Sequence, residues 1–228
     1  MKQLVLVLSI LCLAACGSTT DNTGDPSLND GSGDDIGGGN GDGTGGGDGT
    51  GNGGTTACAT PAQLTATPVL SEGAYSDDTA LGGDLYVGAY MAMDDSATPD
   101  ILAVELWQGY GVFAEALQTG TFEITGAETS LAECGACVYM LGDFDPAGGA
   151  RQFFMAQSGT ITIESVPAAA GAQLTGRIEN VTISEIAIND ETNETSVVPG
   201  GCQSTIDQLS FDVTAVAIPD EPAPAPQQ

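Results

Sequence analysis

The sequence predicts an all-β protein: a single antiparallel β-sandwich or jelly-roll-like domain of about eight or nine strands, preceded by a disordered Gly/Asp-rich tether. All twelve aromatic residues lie between Tyr75 and Phe211, which places the folded core in that part of the 228-residue chain. Short stretches there alternate apolar and polar residues, and Gly-rich turns separate them. This pattern with little helix favours a sandwich or jelly roll over a closed barrel.

The individual strands are predicted from the alternation of apolar and polar side chains with a period of two residues. Residues 121–125 and 160–164 alternate apolar and polar side chains, as half-buried antiparallel strands do. Residues 85–93 are apolar on both faces, which indicates an inner strand. Residues 101–118 are the one stretch that could compete as a helix, and Gly109 and Gly111 argue against it. Further strands are expected at 102–106, 138–144, 152–156 and 209–215.

The segment 174–188 changes its apolar phase twice. The apolar positions slip between Ile178 and Val181, and again between Ile183 and Ile186. Each slip predicts a bulge or bend at which the strand changes face.

The first sixteen residues have the features of an export signal. Lys2 precedes an apolar run of about ten residues, which is too short to span a bilayer as a helix. The run ends in Leu13-Ala14-Ala15-Cys16, which resembles the lipobox of bacterial lipoproteins. The resemblance implies a signal peptide at 1–15, cleavage before Cys16, and lipid chains such as palmitate on Cys16. It also implies that Cys12 leaves with the signal peptide and that Gly17, rather than Asp, after Cys16 is compatible with export to the outer membrane.

The rest of the chain divides into three parts. Residues 16–56 carry the lipidated terminus and a linker with 16 Gly and 7 Asp, which lacks the apolar surface needed to fold. Residues 57–217 form the domain, and the Pro/Ala-rich residues 218–228 form a disordered tail. A linker of this kind spans roughly 35 Å as a flexible coil.

Charge and composition exclude several functions. The net charge of −28 repels phosphate groups, so we expect no nucleic-acid partner. The chain has no histidine, and therefore no Ser/His/Asp or Cys/His catalytic pair. Carboxylate pairs for glycoside hydrolysis remain conceivable, but few aromatics accompany them, and the chain is expected not to be an enzyme.

Four cysteines remain after processing: Cys58, Cys134, Cys137 and Cys202. An even number in an exported chain predicts two disulfides. The sequence slightly favours bonds from Cys58 and from Cys202 to one each of the central pair, and a local Cys134–Cys137 bond would require a turn between them. Two alternatives remain open, namely thiol-redox chemistry at Cys134 and Cys137 and a four-cysteine zinc site.

Acidic residues cluster in the expected loops, where oxygen ligands suit calcium. Solvated turns on an acidic protein are the favoured interpretation, since no EF-hand spacing occurs. Because two arginines face 22 acids in the domain, we expect salt or millimolar calcium to raise its melting temperature. The weak calcium candidates are Asp94, Asp95, Asp143, Asp145 and Asp190.

These observations predict a lipid-anchored lipoprotein of the cell envelope, in the outer membrane and facing either the periplasm or the exterior. The domain is expected to bind an unidentified surface ligand or to act structurally. No cofactor is expected besides the covalent lipid. The alternatives are a thiol-redox protein using Cys134 and Cys137, and a calcium-dependent adhesion or carbohydrate-binding module.

Overall fold

The computed structural model describes residues 58, 60–65, 67–77, 85–189, 192 and 194–218. The predictions for the signal peptide, Cys16, the linker and the tail therefore lie outside the described residues, as does Asp190. Within the described part the chain is all-β, with two short 3₁₀ turns at Gly111–Phe113 and Gly126–Thr129. The predicted fold class is confirmed.

The described residues form nine strands, which matches the predicted eight or nine. They are β1 (Leu70–Asp77), β2 (Leu85–Ala92), β3 (Ile101–Trp107), β4 (Gly120–Glu123), β5 (Ala136–Asp145), β6 (Gly149–Ser165), β7 (Gln173–Ile188), β8 (Thr195–Val197) and β9 (Gln203–Ala217).

All nine strands belong to one sheet in the order β4-β6-β5-β3-β2-β1-β9-β7-β8. The β1–β9 pair is parallel and the other pairs are antiparallel, so the sheet is mixed. Strand β6 also pairs with β7, which joins seven strands into a continuous ring of hydrogen-bonded neighbours. This closure differs from the preference for a sandwich or jelly roll over a closed barrel, because period-two alternation is the same in an open and a closed sheet.

The predicted irregularity between Ile178 and Val181 is confirmed. The pairing of β6 with β7 shifts register at this point, and Asn180 adopts a positive φ of 52°. The second predicted slip is wrong. Pairing is regular from Ile183 to Ile186, and these two side chains lie on opposite faces, both of them buried.

Two apolar clusters lie on the two faces of the sheet. The inner cluster gathers side chains from β2, β3, β5, β6, β7 and β9, so the ring encloses a filled core. The outer cluster lies on the opposite face of β2, β3, β5, β6 and β7. Because both faces are buried, β2 and β3 read as continuous apolar runs in the sequence. The outer face carries the site described next.

Candidate functional site

Both predicted disulfides form, but the favoured pairing is wrong. Cys58 bonds to Cys202, with 5.6 Å between Cα atoms, and Cys134 bonds to Cys137, with 5.2 Å between Cα atoms. The chain makes a tight turn over residues 134–137, with a backbone bend at Gly135 between the two cysteines. This turn brings positions i and i+3 much closer than an extended strand would.

The Cys134–Cys137 disulfide has the surroundings of a structural bond. Both residues are buried, at 0 % and 1 % exposure. Strand β5 begins at Ala136, so this disulfide does not precede a helix, whose N-terminus would lower a thiol pKa. Gly135 between them is required by space: a Cβ there would lie 2.3 Å from the Tyr110 carbonyl oxygen.

Three aspartates from the predicted acidic loops meet at one place. The Asp94 carboxylate accepts the Asp100 N–H at 3.0 Å, and the Asp100 carboxylate accepts the Asp143 N–H at 2.9 Å. Asp143 also forms an ion pair of 2.7 Å with Arg151. Burial, followed by the charges of Asp94 and Asp143, raises the pKa of Asp100.

The carboxylates of Asp94 and Asp100 accept backbone N–H groups, whereas that of Asp143 pairs with the Arg151 side chain. Asp145 caps an exposed turn by accepting the Ala147 N–H at 2.9 Å, and Asp95 is exposed. Within the described residues, no group of three or more Cys, Asp or Glu side chains is arranged to hold a metal ion. Calcium binding at Asp94, Asp95, Asp143, Asp145 or Asp190 stays a prediction.

Sequence reasoning missed the most unusual group of the domain, the buried carboxylate of Glu105. This residue lies in the middle of β3 and is 7 % exposed. It pairs with Gly88 on β2 and with Cys137 on β5. The absence of a side chain at Gly88 leaves room for the Tyr86 hydroxyl, because a Cβ there would lie 2.5 Å from it.

Three tyrosines and a tryptophan donate to this one carboxylate. Glu105 Oε1 accepts from the hydroxyls of Tyr90 at 2.6 Å, Tyr139 at 2.7 Å and Tyr86 at 3.2 Å. Glu105 Oε2 accepts from Trp107 Nε1 at 3.0 Å. The Tyr86 and Tyr90 hydroxyls also lie within hydrogen-bond distance of each other, and because each phenol has one proton, a Tyr86 that donates to Tyr90 does not donate to Glu105 at the same time. We call these five residues the Glu105 cluster.

The side chains of the Glu105 cluster converge because the sheet puts them on one face. Tyr86 and Tyr90 flank Gly88 along β2, and Trp107 and Glu105 are two residues apart on β3, so all four point outward. The Tyr86 and Trp107 rings pack with centroids 4.3 Å apart.

The four described side chains that donate to this carboxylate, three phenols and an indole, are neutral. Arg151 pairs with Asp143, and Arg177 pairs with Glu164 and Glu179. Burial first, then the Glu105 charge, raises the pKa values of Tyr86, Tyr90 and Tyr139 well above the ordinary tyrosine value. Phenols that hold their protons this firmly serve as fixed donors, and the cluster joins β2, β3 and β5 through side chains.

A second buried carboxylate fixes the loops at one end of the sheet. Glu128 is 3 % exposed and accepts the backbone N–H groups of Val112 at 2.8 Å and Ala136 at 2.6 Å. It therefore ties the 3₁₀ turn of Gly111–Phe113 to the start of β5. Both buried glutamates satisfy donors inside the protein, which is a structural use of charge.

Comparison with protein-family profiles, with curated proteins and with solved structures finds no match for this chain. In the described part of the chain, no helix is long and apolar enough to cross a membrane. The class of protein that fold and site define is thus a disulfide-bonded all-β domain with a buried tyrosine–glutamate network.

Proposed function

We propose that the protein is a lipid-anchored lipoprotein of the cell envelope that presents this all-β domain on a Gly/Asp-rich linker at the outer membrane. The observation that carries the proposal is Leu13-Ala14-Ala15-Cys16 at the end of a short apolar run. Two acyl chains anchor a protein stably, whereas one chain gives marginal binding.

The disulfides support export. Both bonds join cysteines within the domain, and disulfides persist in oxidising compartments such as the periplasm. Cys58 lies at the predicted start of the domain, so its bond to Cys202 joins that start to the chain just before β9. The linker separates this domain from Cys16 by a distance of tens of ångströms.

A binding or structural role, without catalysis, is the second part of the proposal. The two most buried glutamates, Glu105 and Glu128, have their oxygens occupied by protein donors. A general acid or base must instead reach a substrate proton directly or through one water. The acidic surface suits a soluble, exposed domain that repels nucleic acid and other anionic polymers.

The anchor is tested by Cys16→Ser, with Cys12→Ser as the matched control within the signal segment. We expect the Cys16→Ser protein to leave the membrane fraction, to partition into the aqueous phase of a detergent separation and to incorporate no labelled palmitate. The Cys12→Ser protein should behave like the wild-type protein: it should stay in the membrane fraction, partition into the detergent phase and incorporate labelled palmitate. A membrane-bound Cys16→Ser protein that still carries label would overturn the proposal.

A further inference from the structure

The chain enters the domain beside β9, before β1 begins. Gln63 pairs with Thr205 in parallel, and the Leu64 N–H donates to the Thr205 carbonyl at 2.9 Å. The Thr205 N–H donates to the Ala62 carbonyl at 3.0 Å, and Leu64 is buried in the inner cluster. We call residues 60–65 the entry segment.

The entry segment runs along β9 in the register that β1 later resumes. Gln63 pairs with Thr205, and Gly73 pairs with Ala215. The difference between the two residue numbers is the same in both pairs. Its side chains contribute further contacts to the start of β9: Thr60 bonds to Ser204 at 2.9 Å, and Gln63 donates to Asp207 at 3.0 Å. These contacts are few, and most of them can break one after another from the N-terminal end.

The Cys58–Cys202 disulfide lies just ahead of both segments. Cys58 precedes the entry segment, and Cys202 precedes β9. The bond therefore closes a loop of 144 residues that contains β1 to β8. A covalent path from the linker to β9 bypasses that entire loop.

We propose that the Cys58–Cys202 disulfide is a mechanical clasp: it transfers tension in the linker directly to β9, so that the covalent path from the linker to β9 bypasses the entry segment and β1 to β8. The role of this tension rests on the proposed lipid anchor, because a domain that is anchored at one end and bound at its surface is pulled through its linker. The clasp itself is a property of the domain.

The pairing of β9 explains why it is a suitable strand to receive the force. Strand β9 pairs with β7 from Gln203 to Thr214. A pull along β9 therefore loads many ladder hydrogen bonds together. Without the clasp, the same pull would first peel the entry segment, which has two backbone hydrogen bonds to Thr205.

The clasp is tested by stretching the full chain between handles at its two ends in a single-molecule instrument. With the disulfide intact, only residues after Cys202 can extend within the domain, which gives no more than about 60 Å at about 3.5 Å per residue. In Cys58→Ser/Cys202→Ser, the released length should grow by the 144-residue loop, which is about 500 Å. The matched control Cys134→Ser/Cys137→Ser, whose loop is three residues, should behave like the wild-type protein.

The wild-type measurement alone can overturn the inference, so a misfolded variant does not leave it untested. A release of about 500 Å from the oxidised wild-type chain would show that the clasp is absent. Equal forces for the first detachment in wild-type and Cys58→Ser/Cys202→Ser proteins would show that the bond does not change which contacts bear the tension. Neither result depends on Cys16, so failure of the clasp is distinguishable from failure of the lipid anchor.

Discussion

The Tyr139 hydroxyl on β5 donates a 2.7 Å hydrogen bond to Oε1 of Glu105 on the neighbouring strand β3. Both residues are buried, at 3 % and 7 % exposure. Burying a carboxylate costs desolvation free energy unless hydrogen-bond donors surround it. The loss of any one donor therefore leaves part of that free energy uncompensated.

Removing one donor of the Glu105 cluster should destabilise the domain. Tyr139→Phe and Tyr90→Phe keep the ring and remove the hydroxyl, so each should lower the free energy of unfolding by about 1.5–3 kcal/mol, the range for hydrogen bonds to charged groups. Tyr75→Phe is the control, because its hydroxyl donates to a neutral carbonyl, that of Ala168, and should cost less than about 1 kcal/mol. Denaturant titration measures all three; equal losses at Tyr139 and Tyr75 would contradict this account.

The same cluster predicts an alkaline limit to stability. Burial, then the Glu105 charge, raises the pKa values of Tyr86, Tyr90 and Tyr139 in the folded chain above the unfolded value of about 10. Their contribution to stability is complete below about pH 10 and is lost as the pH rises towards the folded-state values. Absorbance at 295 nm should show these three phenols ionising only together with unfolding. Their independent ionisation in the native protein would argue against the network.

Neutralising Asp100 should stabilise the protein at neutral pH. Burial, then Asp94 and Asp143, raises the Asp100 pKa, so its stability contribution is complete below about pH 4 and falls as the pH rises. Asp100→Asn should therefore raise the free energy of unfolding by up to about 1 kcal/mol at pH 7 and by nothing near pH 3. Asp95→Asn removes the same charge at an exposed position and corrects for general repulsion. Equal gains from both variants would mean that the local cluster contributes nothing.

The two disulfides should be reduced in a fixed order. Thiol–disulfide exchange needs access to sulfur, and Cys58 is exposed whereas Cys134 and Cys137 are buried. Under mild reductant without denaturant, alkylation followed by mass spectrometry should label Cys58 and Cys202 first. Earlier labelling of Cys134 and Cys137 would favour the thiol-redox alternative.

Local pattern sufficed for the fold class and for many strand positions. Alternation at 121–125 and 160–164 corresponds to β4 and to part of β6, and the apolar run at 85–93 corresponds to β2. The same reasoning failed at Ile183 and Ile186, because it assumed that one face of the strand is exposed. There the outer cluster buries the second face, and a regular strand has apolar residues on both sides.

The contacts between residues far apart in the chain could not be predicted from the sequence. Four cysteines allow three pairings, and the choice depended on a tight turn over residues 134–137 and on the approach of Cys58 to Cys202, which are 144 residues apart. Glu105 was equally hidden, since its donors come from three strands that only the sheet register brings together.

The sequence by itself determined the all-β class and the acidic character, and it predicts the limits of the folded domain and a lipobox-like signal, because each depends on composition or on neighbours along the chain. The tertiary structure decided the closure of the sheet through β6 and β7, the disulfide partners and the Glu105 cluster. These features depend on contacts between residues far apart in number. Such contacts exist only after the strands have paired.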